Sequence, residues 1–222
     1  MHRVVLGPSG IIELMFSNLD LTSILVIIVV LFISTALHEI MHGFVALKLG
    51  DDLAYSQGRL TLNPLKHIDP ILTIAMPLFF MLAGMAPIFA AKPVPINPNR
   101  VSGREDGMAL IAIAGPLTNL FLATLAAIVL RNLSLSGFLL EFIVRFLQIN
   151  VGLFIFNLLP IPPIDGSRVL YAFAPGLVQR VMEQIESYGI FVVIILISLL
   201  LPVIGPVLTN VNQSVIRFLL GY

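Results

Sequence analysis

Residues 21–47 read LTSILVIIVVLFISTALHEIMHGFVAL. Only His38, Glu39 and His42 interrupt this apolar run, and about 20 apolar residues of helix cross a hydrocarbon core about 30 Å thick. The stretch therefore predicts a transmembrane helix. The whole chain agrees with it: of 222 residues, 58% are apolar and 11% charged, against about 25% charged in an ordinary soluble domain. Such a chain has too little polar surface to face water on all sides. Twelve Lys and Arg balance twelve Asp and Glu, which leaves no basic surface for nucleic acid. With no Cys, neither a disulfide nor a thiolate nucleophile is available. The run carries ionisable residues and no small-residue cleavage site follows it, so it is expected to stay in the mature protein rather than act as a signal peptide.

Four more runs are long enough to span: residues 70–91, 108–130, 138–159 (interrupted only by Glu141 and Arg145) and 189–208. The first of these is broken by Pro70, Pro77, Gly84 and Pro87. A proline beyond the first turn removes a backbone hydrogen bond that lipid cannot replace. Three connecting stretches carry information. GRLTLNP at 58–64 alternates polar and apolar residues and reads as a short strand. KPVPINP at 92–98 holds three prolines that enforce an extended path. NLLPIPPIDG at 157–166 breaks a helix while the sequence is still apolar, which membrane depth tolerates only under cover of protein or a watery cavity.

The sharpest chemical feature is His38-Glu39-Ile40-Met41-His42. Helical positions i and i+4 lie one above the other, so both imidazoles can reach one metal ion, with the intervening carboxylate beside a metal-polarised water. This is the zinc metallopeptidase arrangement. Three ionisable residues within five at mid-membrane, at roughly 2.5–3.5 kcal/mol each, need a compensating partner. A catalytic zinc usually takes three protein ligands, and the candidates for the third are Asp165, Asp69, His67, Asp51 and Asp52. Asp51 and Asp52 follow Gly50 at a helix end and read as solvated. His67 and Asp69 read as turn or capping residues. Asp165 follows the Pro-rich break, where an unpaired carboxylate is unfavourable; its alternative is the N-cap of a helix starting near Ser167.

Taken together, these motifs resemble the site-2 protease family of intramembrane zinc metalloproteases, in its compact prokaryotic branch without a PDZ domain. The resemblance rests on His38-Glu39-x-x-His42 and Asn157-x-x-Pro160-x-Pro162-Pro163-x-Asp165-Gly166. It extends to residues 58–64 with His67-Ile68-Asp69-Pro70, to 91–98, and to Gly115-Pro116-Leu117-Thr118-Asn119, covering about residues 30–170. It implies that Asp165 is the third ligand of one zinc ion, Glu39 the general base, and Asn157 a polar group near the reacting carbonyl. It also implies that residues 58–63 form a re-entrant β element and that the substrate is a transmembrane protein already shortened by another protease. The expected fold is an all-α polytopic membrane protein of four to five transmembrane helices with a re-entrant loop or β-hairpin. A single domain is expected over residues 1–222, with its core at about 21–170 and a C-terminal helical segment at about 187–220.

Some roles stay structural in this reading. The helix with Gly115 and Asn119 is rich in alanine and is expected to pack closely, with Asn119 able to hydrogen-bond to the His-bearing helix. Glu141 and Arg145 read as an i, i+4 ion pair. A transporter or a non-catalytic zinc-binding membrane protein is the competing class, since broken helices and buried ionisable groups mark transporters too. Against these stand the metal spacing, the absence of two similar halves, and Glu39, which a closed structural zinc site has no use for.

Depth adds a topological expectation. The ligands meet at one level only if the spans bearing His38 and Asp165 run in the same direction, so residues 70–91 enter and leave on one side. Lys48, Arg59, Lys66, Lys92, Arg100, Arg104, Arg168 and Arg180 then share a side, opposite Arg3, Arg131 and Arg217. By the positive-inside rule this predicts a multi-pass cell-membrane protein whose active site opens to the cytoplasm. An extended substrate needs partners for its backbone, and residues 58–63 are the expected edge strand to supply them, with Leu62→Pro as the disabling change.

Overall fold

The computed structural model describes residues 20–75 and 92–222. Among them the elements are helical throughout, with no strand. In chain order they are α1 (Leu21–Lys48), α2 (Leu53–Ser56), a 3-10 turn at Pro64–His67, a π-helical turn at Pro70–Ala75, a 3-10 turn at Pro98–Arg100, α3 (Arg104–Asn132), α4 (Gly137–Asn157), α5 (Asp165–Phe173), α6 (Gly176–Ser187) and α7 (Ile190–Leu220). Three helices of the described residues, α1, α3 and α4, are long and apolar enough to cross a membrane.

Local chemistry sets the helix ends. Asp20 caps α1 by accepting from Ser23 N at 2.7 Å, a bond of about 1 kcal/mol in such caps. Gly103 and Gly221 adopt the left-handed conformation just outside α3 and α7, at φ 82° and 83°, where a Cβ would be strained.

Helix α3 lies at the centre of the packing, touching α1, α4, α5 and α7. Most of its buried residues are small, Ala109, Ala112, Ala114, Gly115, Ala123, Ala126 and Ala127 among them, and small residues let helix backbones approach where lipid supplies no hydrophobic drive. The close packing expected of this helix is present. Ala123, Ala126 and Ala127 meet Val144, Leu147 and Val151 of α4 and Ile216 and Leu220 of α7 in one core.

Polar contacts fix the helix directions. Ser23 donates to Glu141 Oε1 at 2.5 Å, and Ser34 Oγ accepts from Asn150 Nδ2 at 2.9 Å. Both pairs climb together, so α1 and α4 are parallel, as the depth argument requires. His38 meets Asn119, whereas His42, further along α1, meets Ile111, so α1 and α3 are antiparallel. The end of α1 and the start of α3 therefore lie together, tied by Ser102 N donating to Leu49 O at 2.8 Å. Residues 76–91, on which most of the re-entrant expectation falls, lie outside the described residues.

Three expectations need correction. Residues 58–63 form turns and bends, not a strand. Arg59 N closes a turn onto Ala54 O at 2.9 Å, and no strand of the described residues stands alongside to form a ladder. The alternation is also inverted: the Arg59 side chain is buried, at 7% exposure, while Leu62 is 71% exposed. The edge-strand role and the Leu62→Pro argument fall with it. Glu141 turns to Ser23 across the α1–α4 contact instead of forming the expected ion pair with Arg145.

Asp51 is not solvated but fully buried. Its Oδ2 accepts from Asn97 N at 2.6 Å and its Oδ1 from Leu53 N at 3.2 Å, so it pins the Pro-rich strap at 92–97 to the end of α1. Only Asp52 keeps to the surface, paired with Arg100 at 2.5 Å. Asp51→Ala strips two backbone donors of their partner and is expected to destabilise the protein by about 1–3 kcal/mol. The thermal unfolding midpoint in detergent measures this; an unchanged midpoint would mean the strap needs no such anchor.

Candidate metal centre

Helix α1 presents His38 and His42 one turn apart, and their rings meet nearly edge-on, with centroids 4.6 Å apart and planes at 85°. The two Nε2 atoms are 2.9 Å apart. Asp165 Oδ2 lies 3.0 Å from the first and 3.3 Å from the second. Among the described residues this is the one group of His, Asp or Glu side chains arranged to hold a metal ion. Asp165 opens α5 immediately after the Pro-rich turn, and Ile164 is the N-cap residue, with no side-chain capping bond made there. The capping alternative for Asp165 is thus not what the fold uses. Behind it Gly166 packs against the Leu158 and Leu159 carbonyls so closely that a Cβ would overlap them.

The far sides of the rings decide what the near sides can be. His42 Nδ1 is 2.7 Å from Ile111 O, and a backbone carbonyl can only accept, so Nδ1 donates and, in the neutral ring, Nε2 keeps its lone pair. His38 Nδ1 is 2.6 Å from Asn119 Oδ1, an acceptor too, with the same result. The bond expected between Asn119 and the His-bearing helix is therefore made. Asp165 Oδ2 is buried without a hydrogen-bond partner. With both rings neutral, three acceptor atoms converge, and a cation placed between them, a metal ion or a proton, turns that repulsion into attraction.

Glu39 is half-buried beside this cluster, and its Oε2 accepts from Val94 N at 2.7 Å. Between Pro93, Pro95 and Pro98 the strap has few N–H groups left. Lys92 N goes to His67 O at 2.8 Å, Val94 N to Glu39 and Asn97 N to Asp51. Arg59 holds the strap from the other side, donating to Lys92 O at 2.8 Å. The strap and the 59–62 loop reach α1 because residue 43 is glycine: a Cβ there would stand 2.5 Å from Leu60 Cδ2 and 3.0 Å from Val94 Cγ1.

The model of the family described as Peptidase family M50 matches residues 131–201. The chain is similar to two proteins each named "Putative zinc metalloprotease". With YwhC of Bacillus subtilis it shares 37% identity over 86% of this chain and 89% of YwhC. With Rip2 of Mycolicibacterium smegmatis it shares 30% over 74% of this chain and 63% of Rip2. The chain belongs to peptidase family M50. That is the site-2 protease family which the motifs resemble. No solved structure matches the chain.

Within this M50 chain the other candidates fall apart from the cluster. His67 sits in the 3-10 turn, buried, with Nε2 on Thr61 O at 2.8 Å, and Asp69 accepts from Ile71 N at 2.9 Å; both are turn residues, as expected. Asn157, the last residue of α4, donates to Leu153 O of its own helix at 2.9 Å. Sequence reading missed the Ile111 carbonyl, the Val94 amide and Asp51. The first two are backbone groups with no side-chain signature, and Asp51 looks like any acid at a helix end until the strap covers it.

Proposed function

We infer that this M50 peptidase is an intramembrane zinc metalloprotease that hydrolyses a peptide bond within or beside a transmembrane segment of a membrane protein. In this reading His38, His42 and Asp165 hold one zinc ion and Glu39 is the general base. The observation that carries it is the convergence of His38 Nε2, His42 Nε2 and the buried Asp165 Oδ2, a donor set of a kind that zinc accepts. When bound, zinc polarises water and the scissile carbonyl. Glu39, held through Oε2 by the Val94 amide, keeps Oε1 to take the proton of the attacking water. It takes that proton as the water oxygen bonds to the carbonyl carbon, and then hands it to the leaving nitrogen as the C–N bond breaks. Asn157 is the candidate to steady the reacting carbonyl, after turning its amide away from Leu153.

The substrate must be unwound, because a helix hides its carbonyls in its own hydrogen bonds. Its segment arrives through lipid, since the spans expose apolar residues such as Leu25, Phe121 and Phe138. The whole chain acts as one domain, with α7 a further span beside α3 and α4, and with the site opening to the cytoplasm. The antiparallel run of α1 and α3 supports a non-crossing segment between them. Single-Cys variants at Asp52 and Asn99, both exposed, are expected to react with an impermeant reagent from the same, cytoplasmic, side; labelling from opposite sides would sink this topology.

The enzymatic reading is tested in proteoliposomes holding the purified chain and a single-span substrate. A zinc chelator is expected to stop cleavage and added zinc to restore it, with about one zinc per chain that Asp165→Ala loses. Cleavage indifferent to chelation would refute the metal-dependent mechanism.

A further inference from the structure

Behind His38 lies a chain of buried amides that does more than fill space. Asn119, Asn150 and Ser34 are each fully buried, on α3, α4 and α1. An Asn side chain has one accepting and one donating end, and His38 sees whichever end Asn119 turns towards it. The choice can be traced outward to an atom that has none. Asn150 lies 2.8 Å from Phe146 O and 2.9 Å from Ser34 Oγ, through Nδ2 in both cases. The Phe146 oxygen is a backbone carbonyl that only accepts, so the nitrogen of Asn150 must face it and Oδ1 must face Asn119. Asn119 accordingly presents Nδ2 to Asn150 at 2.9 Å and Oδ1 to His38 Nδ1 at 2.6 Å. A second anchor, Asn119 Nδ2 to Ser34 O at 3.5 Å, is long and correspondingly weak.

We propose that Asn150 is a positioning residue: held by the Phe146 carbonyl, it orients the Asn119 amide and thereby decides that the single proton of the neutral His38 ring sits on Nδ1 and not on Nε2. With the amide of Asn119 reversed, an N–H would face Nδ1, the proton would move to Nε2, and that nitrogen would be closed to a cation. The consequence for zinc rests on the proposed ligand set; the placement of the proton can be read without any metal.

The chain has four His, so nitrogen-15 labelling of histidine gives a spectrum simple enough to assign, and protonated and bare ring nitrogens differ widely in shift. In metal-free protein His38 is expected to show a protonated Nδ1. Asn150→Leu, of similar size but without either polar end, is expected to move His38 towards the Nε2-protonated form and to weaken zinc binding about 10- to 100-fold, the usual effect of losing a group that orients a ligand. Should that variant not fold, Asn150→Ser, too short to reach Asn119, replaces it. Asn150→Asp, neutral in this burial, can donate to Phe146 O and accept from Asn119, and is expected to restore the wild-type spectrum and most of the affinity.

Ser34→Ala removes one bond from Asn150 but leaves the Phe146 anchor, and is expected to change neither readout. A wild-type His38 spectrum in Asn150→Leu, or an equal shift in Ser34→Ala, would overturn the proposal. If wild-type protein binds no zinc but the spectra behave as expected, the ligand reading fails and the role of Asn150 stands.

Discussion

Glu39→Gln is expected to abolish peptide hydrolysis while zinc stays bound. The substitution keeps the shape of the side chain, and the Gln carbonyl oxygen can still accept from Val94 N, as Glu39 Oε2 does at 2.7 Å. What disappears is the basic oxygen that takes the proton of the attacking water. General-base catalysis contributes about 10²- to 10⁴-fold, so kcat on a peptide substrate should fall to the background while KM barely moves. Neither His ring nor Asp165 hydrogen-bonds Glu39, and the Nδ1 partners of both rings are Ile111 and Asn119, so one zinc per chain should remain by elemental analysis. If the variant keeps more than a few per cent of wild-type turnover, the base is another group.

Gly115→Ala is expected to expel the metal without unfolding the protein. A Cβ at position 115 would lie 2.5 Å from His42 Nε2 and 2.6 Å from both His38 Nε2 and Cε1. These atoms cannot swing aside, because each ring is held on its far side by a residue of the same helix, Ile111 or Asn119. Helix α3 cannot retreat without breaking both bonds. The added methyl therefore competes for the volume where the two ring nitrogens and Asp165 converge. Overpacking of this kind destabilises by roughly 1–3 kcal/mol, which a folded membrane protein survives, whereas zinc affinity should fall by at least about 100-fold and hydrolysis with it. Zinc content and unfolding midpoint, measured on the same sample, separate the two effects. A variant with full zinc and normal turnover would show that the metal does not sit against α3.

How far the site is legible from the chain depends on the range of each contact. His38 and His42 are four residues apart on one helix, and their meeting follows from helical geometry alone. Asp165 is legible for a different reason, that a carboxylate in an apolar break needs a partner, though a cap was an equally local alternative. Residues 58–63 show the opposite case. Their alternation was real, but a strand exists only with a neighbour, and here the backbone folds into turns while Arg59 reaches inward for the Lys92 carbonyl. Asp51 was misread because nothing near it in the chain announces that the strap at 92–97 will cover it.

The sequence by itself determined the membrane setting, the apolar helices α1, α3 and α4, the spacing of the histidines and the small-residue packing of α3, because apolar runs in lipid have no choice but to satisfy their backbone within a helix. Only the tertiary structure decided which polar atoms meet. His38 and Asn119 are 81 residues apart, Ser23 and Glu141 118. Hydrophobic periodicity fixes a helix and the face it buries, but it is blind to the direction and rotation of a neighbouring helix. Those are set when a few buried polar groups, unable to turn to water, find the only partners within reach.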